Sequence, residues 1–194
     1  MSPNLTAEEK IDPRVKRTRA MLVQAFMEVV SERGFQAISV QDITEKAGVN
    51  RTTFYLHFAD KFSLLDFTIQ QMFNEEIGKR LSHAEGLSLG NLRLLIMTVC
   101  EFTLQSNAHC SPAEPQFETL AETQVKNRLQ EILQGWVERS GSPADAQMAA
   151  TAASWAIYGL ALQWSHDKKR HPSESYAERV LPIIAANLGM AQPV

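Results

Sequence analysis

The sequence predicts an all-α fold in which a small N-terminal three-helix unit precedes a larger helical domain. Three observations carry this reading. Apolar residues recur at helical spacing through most of the 194 residues. No stretch of useful length alternates apolar and polar residues in the manner of a half-buried strand. Helix start and stop residues punctuate the first third of the chain at short intervals, at Pro13, Gly34, Ser39, Gly48, Asn50 and Asp60. The 44% hydrophobic and 21% charged content is that of a globular chain, and it leaves about nine or ten helices to be placed.

Residues 1–13 read as a polar arm closed by Pro13. The first helix is expected over 14–33, with Val15, Leu22, Phe26, Val29 and Val30 inward. Gly34 stands where a left-handed C-terminal cap is wanted, and Phe35 folds back on the last turn. Ser39 and Asp42 form a capping box with the shorter acid, opening a helix over 40–47 that turns Ile43 and Ala47 inward. Gly48 ends it, since glycine accepts positive φ, and Asn50 caps a short helix over 51–58. Phe54 and Phe58 face inward at i and i+4. Asp60 caps a helix over 61–81 with the stripe Leu65, Ile69, Met72, Phe73, Ile77 and Leu81. Residues 82–90 make a loop, and further helices follow over 91–106, 116–139 (one or two helices), 144–167 and 173–188. The 144–167 helix is apolar nearly all round. One stripe is Met148, Ala152, Trp155, Gly159 and Leu162; a second is Ala149, Ala153, Ala156 and Leu160. A helix with two apolar faces needs cover on both. Pro182 is expected to bend the last helix.

Charge placement says more than the net charge of −3. From Lys10 to Arg19 there are five cations and one anion, whereas from Phe62 onward ten cations face fourteen anions. A basic arm that includes Arg17, lying ahead of two short capped helices with a glycine turn, suits phosphate contact. No apolar run resembles a signal peptide, and none offers the about 20 residues of a membrane span. Cys100 and Cys110 fit neither a disulfide scaffold nor a zinc pattern, and the five histidines form no HxxxH or HExxH pair. A cytoplasmic compartment, no cofactor and no metal are therefore expected.

The segment 39–58, SVQDITEKAGVNRTTFYLHF, has the layout of a helix-turn-helix whose second helix enters a DNA major groove. Arg51, Thr52 and Thr53 lie at the leading end of that helix, with Tyr55 and His57 behind them. Arg51 can pair bidentately with guanine, worth about 1–3 kcal/mol of discrimination. The two threonines suit a thymine methyl or a phosphate, and the tips of Tyr55 and His57 suit phosphate oxygens. Lys61 follows as a clamp on the backbone.

The order of these residues, S-V-x-D-I-x-x-x-A-G-V-x-x-x-T-F-Y-x-H-F-x-x-K after a basic first helix, resembles the DNA-binding domain of the TetR family of transcriptional repressors over 14–65. The resemblance supports phosphate-contact roles for Tyr55 and Lys61, and it implies that Ser39 and Gln41 approach the backbone. It also implies repression as the default, and a four-helix dimer bundle built from the last two long helices of each subunit. The expected interface residues are Met148, Ala149, Ala152, Ala156, Gly159, Leu160, Val180 and Ile184. Such a twofold dimer matches a palindromic operator. In this family a cavity in the larger domain typically holds a small-molecule effector that shifts the fourth helix. The expected lining here is Met97, Cys100, Glu101, Leu104, Phe117, Leu120, Trp136, Trp155 and Tyr158.

The expected organisation is thus an arm at 1–13, a DNA-binding domain at 14–60 and an effector-binding and dimerisation domain at 61–194. Two other readings stand beside it. One is a DNA-binding or architectural protein that responds to no ligand. The other is an all-helical enzyme, for which the sequence offers no GxSxG, GxxxxGK[ST] or metal signature.

Overall fold

The computed structural model describes residues 12–109, 115–142 and 145–190. Among these there are eight helices and no strand: α1 Pro13–Arg33, α2 Val40–Ala47, α3 Arg51–His57, α4 Lys61–Leu81, α5 Leu89–His109, α6 Pro115–Ser140, α7 Ala146–His166 and α8 Ser173–Asn187. The count falls below nine because the 116–139 segment is a single helix. The arm at 1–11, Cys110 and the side chain of Phe117 lie outside the described residues. The chain divides into two compact units, 1–68 and 69–194, so the division falls inside α4.

In the first unit, α1 buries Leu22, Ala25, Phe26 and Val29. Phe35 is fully buried with its ring edge-on to Phe26, 6.1 Å between centroids, and so anchors the turn out of α1. Gly34 departs from the expected left-handed cap. Its φ of 78° comes with a ψ of 152°, and its N–H bonds the Val30 carbonyl at 2.8 Å. That backbone region is essentially reserved for glycine, so Gly34→Ala is expected to cost about 1–3 kcal/mol, readable by thermal denaturation. Gly48 does adopt the left-handed conformation, with φ 67° and ψ 30°. α4 adds Leu64, Leu65 and Thr68 to this core, and Asp60 caps it by accepting from the Ser63 N–H at 2.7 Å.

In the second unit α7 packs against α5, α6 and α8. Its inward face carries Ala149, Ala150, Ala153, Ile157, Tyr158, Ala161 and Trp164, where small side chains let neighbouring helices come close. α5 supplies Leu92, Leu95, Ile96, Val99 and Cys100, and α6 supplies Val125, Leu129, Leu133, Trp136 and Val137. The Trp164 indole N–H donates to the His171 carbonyl at 2.9 Å, and the Tyr176 hydroxyl donates to Leu160 O at 3.0 Å. α5 starts earlier than expected because Ser88 caps it, accepting from the Asn91 N–H at 3.1 Å.

Two corrections concern this unit. Trp155, expected to line a cavity, is 62% exposed on the outer face of α7, with the Lys126 ammonium 3.7 Å from its ring centroid. Ala149, Val180 and Ile184, expected at a subunit interface, are buried in the chain's own core. The outer face of α7 instead presents Met148, Ala152, Trp155 and Gly159, with Ala156 and Leu160 half-buried beside them. Asp145, Gln147, Met148, Thr151, Ala152 and Trp155 line an open groove along it.

The other expected cavity residues divide by depth. Cys100, Trp136 and Tyr158 are buried, while Met97, Glu101, Leu104 and Leu120 are half-buried. Burial, then the neighbouring Glu101 charge, pushes the Cys100 thiol up to about 12, so it stays protonated and unreactive at neutral pH. Burial also raises Glu101, but hydrogen bonds from Arg80 and Ser173, with the Arg80 charge, outweigh it and hold the carboxyl low. Those contacts, at 2.5 Å from Arg80 and 2.7 Å from Ser173, join α4, α5 and α8.

Candidate nucleic-acid interface

α2 and α3 are held by their own capping residues. Ser39 Oγ accepts from the Asp42 N–H at 3.3 Å, and Asp42 Oδ2 accepts from the Ser39 N–H at 2.8 Å, which completes both arms of the box. Arg33 reaches from the end of α1 to Asp42 at 2.8 Å. Hydrogen bonds donated to it by the Ser39 hydroxyl and then by the Ser39 N–H, ahead of the Arg33 charge, hold the Asp42 carboxyl below its ordinary range. Lys46 bridges back to Glu28 and Glu32 at 3.1 and 3.3 Å, so α2 is tied to α1 at both ends. Asn50 then caps α3, accepting from the Thr53 N–H at 2.7 Å.

α3 is oriented by one buried side chain. Phe54 is fully buried, with Phe58 tilted against it at 5.9 Å. With that face inward, Arg51, Thr52 and Tyr55 are exposed together on the other side. Among the described residues Arg51, Thr52 and Arg17 have no hydrogen-bond or ion-pair partner, and each of the three is exposed. Leu56, which was not singled out from the sequence, shares the outer face at 78% exposure. A helical wheel centred on Phe54 puts it there.

The remaining expected contacts are already engaged within the protein. The Ser39 hydroxyl donates to Asp42 Oδ2 at 2.5 Å, and the Thr53 hydroxyl donates to Asn50 at 3.0 Å. A phosphate only accepts, so in this arrangement neither hydroxyl has a proton for it. Gln41 is exposed but donates to Glu45 at 2.9 Å. His57 is half-buried, and burial followed by the Arg19 charge lowers its pKa, so it presents a neutral imidazole at pH 7.

Lys61 is the main correction to the expected contact set. Its ammonium donates to three backbone carbonyls of the α1–α2 connection: Phe35 at 3.0 Å, Gln36 at 3.4 Å and Ile38 at 2.8 Å. An ammonium has three donors, and all three are taken. The Phe35 ring adds a cation–π contact at 4.7 Å. The connection has no ladder or helix to satisfy its carbonyls, so Lys61 supplies the partners they need.

Residues 22–66 match the family described as bacterial regulatory proteins, tetR family. The match runs from within α1 to within α4, and over that stretch the chain is similar to this family. A curated relative, the uncharacterised HTH-type transcriptional regulator YxbF of Bacillus subtilis (strain 168), is 44% identical over 71 residues, which is 36% of this chain and 19% of that one. The fatty acid metabolism regulator protein of the same organism is 24% identical over 124 residues, covering 63% of this chain and 64% of that protein. The chain therefore spans less than two thirds of each of these curated relatives. Among solved structures, the transcriptional regulator FadR from Bacillus subtilis in complex with stearoyl-CoA aligns at a TM-score of 0.59 and 17% identity, covering 87% of this chain and 98% of that one. That likeness is one of fold.

Proposed function

We propose that this protein is a sequence-specific DNA-binding transcriptional regulator of the TetR family. It works as a homodimer on a palindromic operator and is released by a small-molecule effector, in the cytoplasm. The observation that carries the reading is the free outer face of α3. Arg51, Thr52 and Tyr55 stand together on a helix oriented by Phe54, preceded by the exposed cations Arg14, Lys16 and Arg17 of α1. Base readers and phosphate contacts require side chains without competing partners.

Dimerisation rests on the outer face of α7. Met148 at 70% and Trp155 at 62% exposure leave on one helix the large apolar surface that a second copy of the same face would cover. Release by an effector rests on the buried and half-buried set at Cys100, Trp136, Tyr158, Met97 and Leu104. The Arg80–Glu101–Ser173 contacts beside that set bear on α4, whose first eight residues belong to the DNA-binding unit. The stearoyl-CoA complex of the FadR neighbour makes an acyl-CoA the first effector to test, by its power to dissociate a preformed operator complex. Among the described residues no helix is long and apolar enough to cross a membrane. The relatives are regulators, and we read this chain as a binder and not a catalyst.

The test is selection of operators from random duplexes by the full chain, repeated with Arg51→Ala. The wild type should enrich a palindrome containing guanine in each half-site. The variant should lose about 1–3 kcal/mol of preference at that guanine alone. Enrichment of no sequence by the wild type would end the regulator reading.

A further inference from the structure

The three most exposed large apolar side chains among the described residues are Leu56, Met148 and Trp155, at 78%, 70% and 62%. Met148 and Trp155 share the outer face of α7 that is assigned to the second subunit. Leu56 is the outlier. It lies on α3, in the DNA-binding unit, with no apolar neighbour on its own face except the ring of Tyr55. A single exposed leucine ordinarily calls for no explanation. Its position does. At about 100° per residue, Leu56 lies about 160° from Phe54 and about 40° from Thr52. Thr52 and Leu56 are thus successive turns at the centre of the outward face, with Arg51 and Tyr55 to one side.

A leucine has no hydrogen-bonding group. In a major groove the one apolar feature of a base edge is the C5-methyl of thymine. Opposite cytosine or guanine, the same side chain would cover an amino or carbonyl group and leave it unpaired. We propose that Leu56 is a specificity-determining residue that packs on a thymine methyl in each half-site, one helical turn beyond the base pair faced by Thr52. This rests on the regulator reading above and adds to it a base identity and the residue that sets it.

Deoxyuridine provides the test, because it differs from thymidine only by that methyl. The operator enriched from random duplexes is resynthesised with each thymine in turn replaced by deoxyuridine, symmetrically in both half-sites. Affinity is then measured for the wild-type chain, Leu56→Ala and Thr52→Ala. One replacement should weaken the wild type about fourfold for each half-site. Leu56→Ala should bind the unmodified operator more weakly and be indifferent to that same replacement, while Thr52→Ala stays sensitive to it. Leu56 is exposed, so Leu56→Ala should keep the wild-type melting temperature, and that control separates lost reading from lost folding. Equal sensitivity of Leu56→Ala and the wild type at every thymine would overturn the proposal. So would transfer of the insensitivity to Thr52→Ala, which would make the threonine methyl the reader. Enrichment of no operator at all would instead overturn the regulator reading and this proposal with it.

Discussion

Lys61→Ala is expected to lower the melting temperature of the chain and to weaken binding to the proposed operator, while leaving the salt dependence of binding unchanged. The ammonium makes two good hydrogen bonds, at 2.8 and 3.0 Å, and a longer one at 3.4 Å, all to carbonyls between α1 and α2. Alanine leaves those carbonyls without their charged partner, in a connection that packs on the fully buried Phe35. Bonds to a charged donor and the unsatisfied acceptors left behind put the loss at about 2–3 kcal/mol. For a chain of this size that is roughly 5–10 °C in melting temperature. Binding weakens because α2, which buttresses α3, is less firmly held. A phosphate clamp would behave differently: its removal would flatten the plot of log affinity against log salt by about one unit and leave the melting temperature alone. Denaturation and salt titration of the same variant separate the two roles, and a flattened slope at unchanged melting temperature would restore the clamp.

On the proposed dimer, Trp155→Asp is expected to abolish dimerisation at micromolar concentration and, with it, tight operator binding. Trp155 stands in the middle of the exposed α7 stripe, between Met148 and Gly159, and its ring is held by Lys126, itself paired with Glu122 at 2.7 Å. A large aromatic fixed in place on one side and bare on the other is the usual anchor of an interface, and its loss typically costs at least about 2 kcal/mol. The aspartate adds the penalty of burying a charge against its own symmetry mate. Sedimentation should show a dimer for the wild type and a monomer for the variant. The variant's melting curve should resemble that of a wild-type monomer, since the side chain supports little of its own subunit. A variant that remains dimeric would move the interface off α7.

Helix ends in the first unit were legible in the sequence because local chemistry determines them. Ser39 with Asp42, Gly48 and Asn50 each act within a few residues of themselves, and α2 runs over the expected 40–47. Phe54 and Phe58 were legible as an inward pair for the same reason. The role of Lys61 was not, because its partners lie 23 to 26 residues back in the chain and are backbone carbonyls, which no side-chain pattern marks. Ser39 was expected to cap and also to approach DNA, and Thr53 to contact DNA, but each hydroxyl proton is taken inside the protein, by Asp42 and Asn50. α7 was legible as doubly apolar, but its period could not say which stripe faces the chain's own core. The structure turns Ala149 and Ala153 inward and leaves Met148 and Trp155 outward. Leu56 was not singled out although the inward pair Phe54 and Phe58 already placed it on the outer face, because an apolar residue in a motif read for hydrogen-bonding groups carries no such signal; its 78% exposure marks it.

The central claim is that the outer face of α3 reads DNA sequence, and competition binding tests it most directly. The full chain is titrated onto the enriched palindrome and onto a scrambled duplex of the same composition, at several salt concentrations. With Arg14, Lys16 and Arg17 of each subunit on phosphates, the log–log slope should be about −5. At physiological salt the palindrome should bind at least about a thousandfold more tightly than the scrambled duplex. Equal affinity for the two duplexes at every salt concentration would contradict the account.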